Sequence, residues 1–578
     1  MNMLHYELLT PQGETLDRNR VLPEYPRPQL RRDSYLSLNG EWDYAIRSRE
    51  APDGGKDDTD GKILVPYPPE SVLSGVRRTL RRGECLYYRR AFTVPQSFLR
   101  DVTLLHLDAV DQKAEVWVND CFVGCTEGGY LPVTLDISSA VHAGENRLTV
   151  QVRDDLDMTL PTGKQRRRRG GIWYTPVSGL WQSVWLESVS RGYIRGLTVT
   201  PDAATGRVTV EIDSAADCFD LTLSCAGETL LRLRDVTSSV RLEIPADRRR
   251  LWSPEDPFLY DLAVTSPGDR VESYFALRMF EAKDGRFYLN GKPYFVNGLL
   301  DQGYFSDGIY TPASYDVFRE DIAAAKRLGF NTLRKHIKIE PMMFYHLCDT
   351  MGMLVFQDMV NVGRYSFFKD TVLPFSGLCK KRPYINVGKT AQENFRCHAG
   401  NTVRYFYNVP SVVAYTIFNE GWGQFDGDGM YKLLKAEDPT RVYDATSGWF
   451  RETLSDVASE HIYFRPIVLK KEDRPIFVSE FGGYTLPLDG HRFNDKKTFG
   501  YKLFTDPAAF EEAFLRLYRE EILDNLKNGL AGAVYTQLSD VEDECNGLLT
   551  YDRKICKVDA ARVKPLMDEI CRTVADGN

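Results

Sequence analysis

Residues 411–425, SVVAYTIFNEGWGQF, and residues 474–483, RPIFVSEFGG, carry the pattern that decides the fold. In each segment a run of apolar residues is followed by a glutamate, Glu420 in the first and Glu480 in the second. Short, nearly continuous apolar runs are typical of strands that are buried on both faces, as in a parallel sheet covered by helices. Each glutamate is therefore expected near the carboxyl end of a buried parallel strand.

Strand-like and helical segments alternate on both sides of these two runs. Eight strands are predicted, at Tyr294–Asn297, Asn331–Lys335, Met353–Gln357, Val412–Phe418, Val442–Thr446, Glu460–Phe464, Ile476–Ser479 and Ala533–Thr536. Helices are predicted between most of them, for example Ala313–Leu328, Pro341–Thr350 and a last long one that begins at Asp506-Pro507 and ends before Gly529. This alternation predicts a (β/α)₈ TIM barrel over residues 282–578, with a doubly wound open sheet as the alternative.

The part of the chain before the barrel is predicted to be all β. Short alternating strands separated by turn residues, such as Ala114–Val118 followed by Asn119-Asp120, predict a jelly-roll sandwich over residues 1–190. A second group of strands, which includes Val208–Ile212, predicts an immunoglobulin-like β-sandwich over residues 191–281. The predicted fold is therefore multidomain, with two β-sandwiches followed by an α/β barrel.

Composition and charge limit the class of protein. The 578 residues are 43% hydrophobic and 27% charged, an ordinary globular composition that excludes a disordered or fibrous chain. The formal charge of −8 argues against a general nucleic-acid partner. There is no apolar run of membrane-spanning length and no visible secretory signal, and the 11 cysteines show no metal-binding spacing. We expect a cytoplasmic protein with reduced thiols, without a membrane partner or a metal; a homo-oligomer stays open.

The ends of the barrel strands are where a (β/α)₈ barrel carries its chemistry. Glu420 and Glu480 place a carboxyl group at each of two strand ends, which is what cleavage of a glycosidic bond needs. One carboxylic acid must protonate the leaving oxygen while the other carboxylate attacks or stabilises the anomeric carbon. For either glutamate alone, an exposed loop position or a salt bridge is the alternative interpretation.

NEGWGQF (419–425) and SEFGG (479–483) resemble the acid/base and nucleophile segments of glycoside hydrolase family 2. The resemblance covers nearly the whole chain: AVDQKAEVWVND (109–120) and GIWYTPVSGLWQSVWLE (171–187) are similar to the family's sugar-binding jelly roll, and GFNTLRKHIKIEP (329–341) to its barrel. It implies a retaining exo-glycosidase that removes a β-linked sugar from the non-reducing end, with no redox cofactor. Some members bind magnesium, so a divalent cation stays open.

The resemblance also implies roles for individual residues. It makes Glu420 the general acid/base, Glu480 the nucleophile, and Asn419 the partner of the sugar 2-hydroxyl. Arg334 is similar to the arginine that keeps the nucleophile ionised, and Tyr463 to the tyrosine that bonds the nucleophile.

Other polar and aromatic residues near the predicted strand ends are candidate sugar contacts: His336, His461, Asp301, Gln302, Trp422 and Trp449. The two histidines have a structural role as the alternative, and each tryptophan either stacks on a sugar ring or packs the barrel rim. Asp301 and Gln302 stand where the familiar galactosidase and glucuronidase barrels carry a histidine-bearing segment, which leaves the identity of the sugar open.

A neutral glycoside is predicted from two features of the sequence. Bacterial β-glucuronidases of this family carry an Asn-x-Lys segment after the eighth strand; the corresponding stretch here, Asn546-Gly547-Leu548, lacks the lysine, and Asn494-Asp495-Lys496 lies far from that strand. Asp301 is expected to repel a uronate. We therefore predict a β-galactoside first, with β-glucuronide, β-mannoside, β-glucosaminide and α-L-arabinoside as alternatives.

Two other kinds of function stay open on the same scaffold, a catalytically silent carbohydrate-binding protein and an endo-acting glycanase. The presence of both Glu420 and Glu480 argues against the first, and the two appended sandwiches favour a pocket-like, exo-acting site over the second. The basic run KQRRRR (164–169), which contains Arg166–Arg169, is interpreted as a solvated or partner-facing loop, with a nuclear signal or nucleic-acid patch as the alternative.

Overall fold

The computed structural model of the chain describes residues 7–50, 58–366, 387–470 and 472–577, together with Phe368 and Asp370. These residues form two β-sandwiches followed by an eight-stranded parallel barrel, which confirms the predicted fold class. The last strand of the first sandwich ends at Val189 and the first strand of the second begins at Ile194, while the division of the chain at residues 190 and 281 stays a prediction.

The first sandwich has a four-stranded and a six-stranded antiparallel sheet, as alternating short strands predict. The smaller sheet contains, in spatial order, Leu36–Ser37, Val184–Val189, Val102–Leu107 and Val133–Asp136. The larger contains Gly61–Val65, Gly40–Ser48, Glu84–Val94, Gly144–Arg153, Lys113–Val118 and Cys121–Glu127, and Gly179–Leu180 pairs separately with Val110–Asp111. Two short helices, Pro11–Glu14 and Pro28–Leu30, precede these strands.

The second sandwich packs a three-stranded sheet on a four-stranded one. Its strands are Ile194–Asp202, Arg207–Ser214 and Ser239–Glu243 in one sheet, and Glu228–Val236, Phe219–Cys225, Tyr260–Ser266 and Asp269–Phe275 in the other, with a short helix at Ala246–Arg248. Buried Arg32 joins the two sandwiches, because its guanidinium lies 3.2 Å from Glu187 of the first and 3.0 Å from Asp269 of the second.

The barrel strands follow one another in parallel. In chain order they are Val296–Asp301, Thr332–Lys335, Leu354–Asp358, Val412–Asn419, Val442–Ser447, Ala458–Ile462, Ile476–Gly482 and Leu530–Thr536. The first strand pairs with the second and the eighth, and the fifth and sixth meet through Ser447, whose hydroxyl lies 2.8 Å from His461 and 3.4 Å from Ser459. This closure excludes the alternative of a doubly wound open sheet.

The helices depart from eight regular strand–helix units. Those of the barrel are Asp316–Arg327, Met342–Met351, Lys389–Tyr405, Gly427–Glu437, Pro507–Leu517, Tyr518–Leu523, Asp524–Leu526 and Ala560–Ala575. Among the described residues no helix lies between the fifth and sixth strands or between the sixth and seventh. The fifth and sixth strands are linked by residues 448–457. A connection that includes a helix needs at least roughly 10–12 residues, so this link is at the lower limit. No helix in the described part of the chain is long and apolar enough to span a membrane.

The two ends of the barrel are covered by different parts of the chain. A three-stranded sheet, Phe280–Lys283, Arg286–Leu289 and Lys292–Tyr294, packs against the amino-terminal ends of the strands, where Phe287 lies 6.1 Å from the Phe356 ring and 5.8 Å from the Phe477 ring. The first sandwich contacts the other end. The hydroxyl of Tyr130 in the sandwich forms a hydrogen bond of 3.0 Å with the hydroxyl of Tyr310, and the Tyr67 hydroxyl of the sandwich donates to the Ala313 carbonyl. The sandwich therefore lies against the rim at which the two glutamates emerge.

Candidate active site

Glu480 lies on the seventh strand, Ile476–Gly482, and both oxygens of its buried carboxyl group accept hydrogen bonds. The Arg334 guanidinium donates to Oε1 at 3.0 Å, and the Tyr463 hydroxyl donates to Oε2 at 2.6 Å. Burial alone would raise the pKa of Glu480, but His461 and Arg334 outweigh burial and hold this pKa below its usual range. The carboxylate is therefore ionised and oriented, as a nucleophile must be.

Arg334, at the second strand, is fully buried and joins four strands of the barrel. Besides Glu480, its guanidinium donates to Asp358 Oδ1 at 3.0 Å and to Asn419 Oδ1 at 2.8 Å. Burial opposes the charge, but Asp358 and Glu480 outweigh it and raise the pKa of Arg334. The amide group of Asn419, which comes directly before the predicted acid/base, is thereby oriented with its nitrogen facing away from the arginine.

Glu420 follows the fourth strand, Val412–Asn419, in a backbone conformation that glutamate rarely adopts. Its φ is +53°, in the left-handed region, and Gly421 follows with φ +75°. Such a conformation costs about 1–3 kcal/mol in a residue other than glycine, and it is concentrated at functional sites. The Glu420 amide donates to the Ser447 carbonyl at 2.8 Å, which helps to hold the turn.

His461 lies between the two glutamates. Its Nδ1 is 2.8 Å from Glu420 Oε1 and 3.4 Å from Glu480 Oε2, while its Nε2 is 2.8 Å from the Ser447 hydroxyl. Because the ionised carboxylate of Glu480 only accepts hydrogen bonds, and a protonated Glu420 still accepts through one oxygen, we assign a proton to Nδ1. The imidazole can thus hold both carboxyl groups in place.

The two carboxyl groups are close enough for one reaction centre. An oxygen of Glu420 and an oxygen of Glu480 lie within 4.8 Å of each other, with His461 Nδ1 in the same cluster. Inverting glycosidases separate their carboxyl groups by about 6.5–9.5 Å to admit a water, whereas retaining enzymes keep them about 5–5.5 Å apart. The spacing in this chain fits the retaining arrangement.

His336 is the second histidine that the structure brings to this site. Its Nδ1 lies 2.6 Å from Asp358 Oδ2, and its Nε2 has no hydrogen-bond partner within the described chain. Burial, together with the nearby Lys164, lowers the pKa of His336 to about 4, so the ring is neutral near pH 7. With Nδ1 donating to the aspartate, Nε2 is left as an acceptor for a sugar hydroxyl.

The expectation that Asp301 repels a uronate is not supported. Its Oδ2 lies 2.6 Å from the Lys335 ammonium and its Oδ1 accepts from the Gly303 amide, so its charge is neutralised within a buried network that also contains Glu340. Gln302 is buried beside it, and in the part of the chain that the structure covers neither side chain bonds to Glu420 or Glu480. The sequence does not reveal this pairing, because Lys335 is on the neighbouring strand and not next to Asp301 in the chain.

The two candidate tryptophans differ. Trp422 is only 4% exposed, donates its Nε1 proton to the Gly363 carbonyl, and meets Trp173 of the first sandwich edge-on at 4.9 Å. Trp422 therefore packs the barrel rim, which was the alternative to stacking on a sugar ring. Trp449 is half-buried and lies edge-on at 5.7 Å to His461, the histidine that contacts both glutamates.

Lys164 and Glu544 also lie near the glutamates and were not predicted as site residues. Lys164, from a loop of the first sandwich, is near enough to lower the pKa values of His336 and Glu480 and to act on Glu544. Buried Glu544 accepts hydrogen bonds from the Tyr174 hydroxyl and from Asn546. Glu544 follows the eighth strand by several residues, so a search for carboxylates directly at strand ends does not find it.

Two family models match the chain. The model described as "Glycosyl hydrolases family 2, sugar binding domain" matches residues 69–186, and "Glycosyl hydrolases family 2, TIM barrel domain" matches residues 280–564. A putative beta-glucuronidase of Formosa agariphila is 25% identical over 71% of this chain, and a beta-galactosidase of Aeromonas hydrophila is 26% identical over 64%. The matches cover 40% and 36% of these relatives' own lengths, so the chain spans well under half of either.

Solved structures agree with the fold. A Ruminococcus gnavus beta-glucuronidase superposes with a TM-score of 0.75, at 17% identity, over 95% of this chain and 99% of that chain. A beta-D-glucuronidase of Dictyoglomus thermophilum gives a TM-score of 0.71, at 17% identity, over 94% and 98%. The two β-sandwiches and the barrel with paired carboxylates at its strand ends define the class. The chain belongs to glycoside hydrolase family 2.

Proposed function

We propose that this chain is a retaining exo-β-glycosidase. The observation that carries the proposal is the pair of carboxyl groups, with oxygens within 4.8 Å of each other, of which Glu480 is held ionised by Arg334 and hydrogen-bonded by Tyr463. Two carboxyl groups at this spacing suit double displacement at an anomeric carbon. A catalytically silent binding protein would need neither the spacing nor the ionised nucleophile.

In the first step the Glu480 carboxylate attacks the anomeric carbon while the bond from that carbon to the leaving oxygen breaks. Glu420 gives its proton to this oxygen, and a glycosyl ester on Glu480 is left behind. In the second step Glu420 takes a proton from a water molecule, whose oxygen attacks the anomeric carbon and releases the Glu480 carboxylate. Two displacements at one carbon retain its configuration.

An exo-acting site is supported by the first sandwich, which lies against one side of the barrel mouth. Its loop brings Lys164 near Glu480, and Trp173 of the same loop packs on Trp422. A protein wall on this side suits a pocket for one terminal sugar better than the open cleft that an endo-acting enzyme needs.

For the sugar we propose a neutral β-galactoside, with a β-glucuronide as the second candidate. The second candidate is favoured by Lys164, a cation near the nucleophile that a uronate could use. The neutral β-galactoside is favoured because Lys164 also lies near the buried carboxyl group of Glu544. That carboxyl group can balance the charge of Lys164, so the lysine does not need an acidic sugar as its partner.

A panel of aryl glycosides measured on Lys164→Gln separates these two sugars. We expect the wild-type protein to have its highest kcat/KM on the aryl β-galactoside, compared with β-glucoside, β-mannoside, β-glucosaminide, α-L-arabinoside and β-glucuronide. If Lys164 balances Glu544, the variant lowers kcat/KM on every active glycoside by a similar factor. Lys527→Gln is the matched control, because Lys527 is exposed and comes just before the eighth strand, at the end of the barrel away from the glutamates.

A different result would identify the β-glucuronide as the preferred substrate. In that case the wild type has its highest kcat/KM on the β-glucuronide, and Lys164→Gln lowers this value by at least about tenfold more than the others, as loss of one charge-assisted contact predicts. No turnover of any glycoside in the panel would contradict the proposed function itself.

We propose that the reaction needs neither a metal nor another cofactor. We assign a proton to His461 Nδ1 between Glu420 and Glu480, so a cation would have to displace this proton before it could use the nitrogen. Dialysis against EDTA is therefore expected to leave kcat/KM on the best aryl glycoside unchanged. A loss of activity that added Mg²⁺ restores would show that a cation takes part.

We also propose that the protein works in a reducing compartment, the cytoplasm. The cysteines that the structure describes are all free thiols, and several of them, including Cys348 and Cys545, are buried. Free thiols in this number persist where disulfides do not form.

A further inference from the structure

A basic groove leads away from the barrel mouth along the first sandwich. Two adjoining cavities, of about 540 and 560 Å³, share five lining residues: Arg82, Asp155, Leu156, Met158 and Arg364. The cavity nearer the mouth also contains Arg168 and ends at Trp422. We call this feature the arginine groove; its volume is in the range of sites that bind small molecules or short oligomers.

The charge of the arginine groove is poorly compensated. Arg82, Arg168 and Arg364 are exposed, and within the described residues none of them forms an ion pair. Asp155 lines both cavities, where it pairs with Arg49 and is also near enough to Arg82 for that arginine to lower its pKa. In a chain with a formal charge of −8, a groove in which guanidinium groups outnumber carboxylates is a local site for anions.

The inner end of the groove is lined by Trp422, which belongs to the segment that carries Glu420. Trp422 comes two residues after Glu420, and Trp173 packs edge-on against it at 4.9 Å. The Arg166 guanidinium lies 3.8 Å above the Trp173 ring, and this cation–π contact holds Arg166 at the wall of the groove. The loop that carries Arg166 and Arg168 is the one that places Lys164 near Glu480.

These positions indicate which part of a substrate would lie in the groove. In a retaining glycosidase the acid/base stands beside the leaving oxygen, and the rest of the substrate chain extends from that oxygen. Because Trp422 comes two residues after Glu420 and lines the inner end of the groove, a sugar chain that extends from the Glu420 side of the site would meet the arginines.

We propose that the arginine groove binds the leaving-group side of an anionic oligosaccharide, one that carries carboxylate or sulfate groups. This inference rests on the proposed function, since it takes the leaving group to be a sugar chain. Guanidinium groups form paired, parallel hydrogen bonds with both kinds of anion, and three exposed arginines allow successive sugars to be bound. The negative charge of the rest of the protein disfavours a long polyanion such as a nucleic acid, whereas a short acidic sugar chain fits inside the groove.

The test is a binding titration on full-length Glu480→Gln, which keeps the probes intact. Four probes are compared at one ionic strength: tetragalacturonate, a κ-carrageenan tetrasaccharide, cellotetraose and octathymidylate. We expect at least one acidic tetrasaccharide to bind about tenfold or more tightly than cellotetraose, as a few exposed charge pairs predict, and its Kd to rise with salt. The tighter of the two acidic sugars identifies carboxylate or sulfate as the group recognised.

A triple variant locates the binding site. Adding Arg82→Gln, Arg168→Gln and Arg364→Gln should raise the Kd of the acidic tetrasaccharide by roughly tenfold, since each exposed pair contributes a few-fold. The matched control removes three exposed arginines of the second sandwich by Arg232→Gln, Arg234→Gln and Arg241→Gln, and should leave this Kd unchanged. A circular-dichroism melt of each variant reports whether it has folded.

Three results would overturn the proposal: equal Kd values for the acidic tetrasaccharides and cellotetraose, an unchanged Kd in the groove variant, or tighter binding of octathymidylate than of both acidic sugars. Hydrolysis of aryl glycosides by the wild-type protein is measured separately. If that hydrolysis is absent while the groove variant still loses the acidic sugar, the proposed function fails and anion binding by the groove stands. If hydrolysis is present while the Kd is unchanged, the groove proposal fails alone.

Discussion

Glu480→Gln is expected to lower kcat by at least about 10⁴-fold on every glycoside that the protein hydrolyses, because an amide cannot attack the anomeric carbon. The fold should survive, since a glutamine of nearly the same shape can still accept from Arg334 or Tyr463 through its carbonyl oxygen. Steady-state hydrolysis of an aryl glycoside measures the loss. Glu569→Gln, at an exposed glutamate of the last helix, is the matched control.

A smaller nucleophile should restore the first step in Glu480→Ala. With azide present, azide attacks the anomeric carbon, Glu420 protonates the leaving oxygen, and the product is a glycosyl azide with inverted configuration. Proton NMR of this product, beside that of the retained sugar from the wild-type protein, distinguishes one displacement from two. Near-normal turnover by Glu480→Gln, or an inverted product from the wild type, would contradict the role assigned to Glu480.

Glu420→Gln is expected to have an effect that depends on the leaving group. For an alkyl glycoside the loss in kcat should reach about 10²–10⁴-fold, the usual contribution of general acid catalysis. For a dinitrophenyl glycoside, whose leaving group needs no proton, formation of the glycosyl-enzyme should remain fast and its hydrolysis should become slow. Rapid-mixing kinetics should then show a burst of phenolate.

The comparison across leaving groups is also the control for this second variant. A plot of log kcat/KM against the pKa of the leaving phenol should be steeper for Glu420→Gln than for the wild type, because protonation no longer offsets a poor leaving group. An equal loss on all leaving groups would mean that Glu420 acts by another route, for instance by holding His461 in place.

The sequence predicted the fold class because its signals are local. Buried parallel strands give continuous apolar runs, and the chain has such runs around Glu420 and Glu480. The strand boundaries were less exact: the first strand is Val296–Asp301 instead of Tyr294–Asn297, since aromatic and β-branched residues do not mark where pairing begins. Among the described residues no helix flanks the sixth strand, and this depends on loop length and tertiary packing, which the periodicity of the sequence does not show.

The site was predictable only where residues lie at strand ends. Glu420, Glu480, Arg334 and the two candidate histidines all come directly at or after predicted strands, and the structure brings them together. Lys164 escaped prediction because it is far away in sequence and reaches the barrel only through the docking of a separate sandwich. The sequence suggested that Asp301 repels a uronate because it does not show that the Lys335 side chain pairs with this carboxylate.

The loop that contains Lys164 and Arg168 belongs to the first sandwich, whereas both glutamates belong to the barrel. The proposed catalytic groups and the residues proposed to bind the leaving-group side are thus encoded in separate stretches of the gene. Insertions or substitutions in this loop can change which glycans are accepted without moving Glu420 or Glu480. Divergence of specificity in such a lineage can accordingly proceed by loop exchange, and chimeras that trade residues 164–173 between relatives are a direct way to follow it.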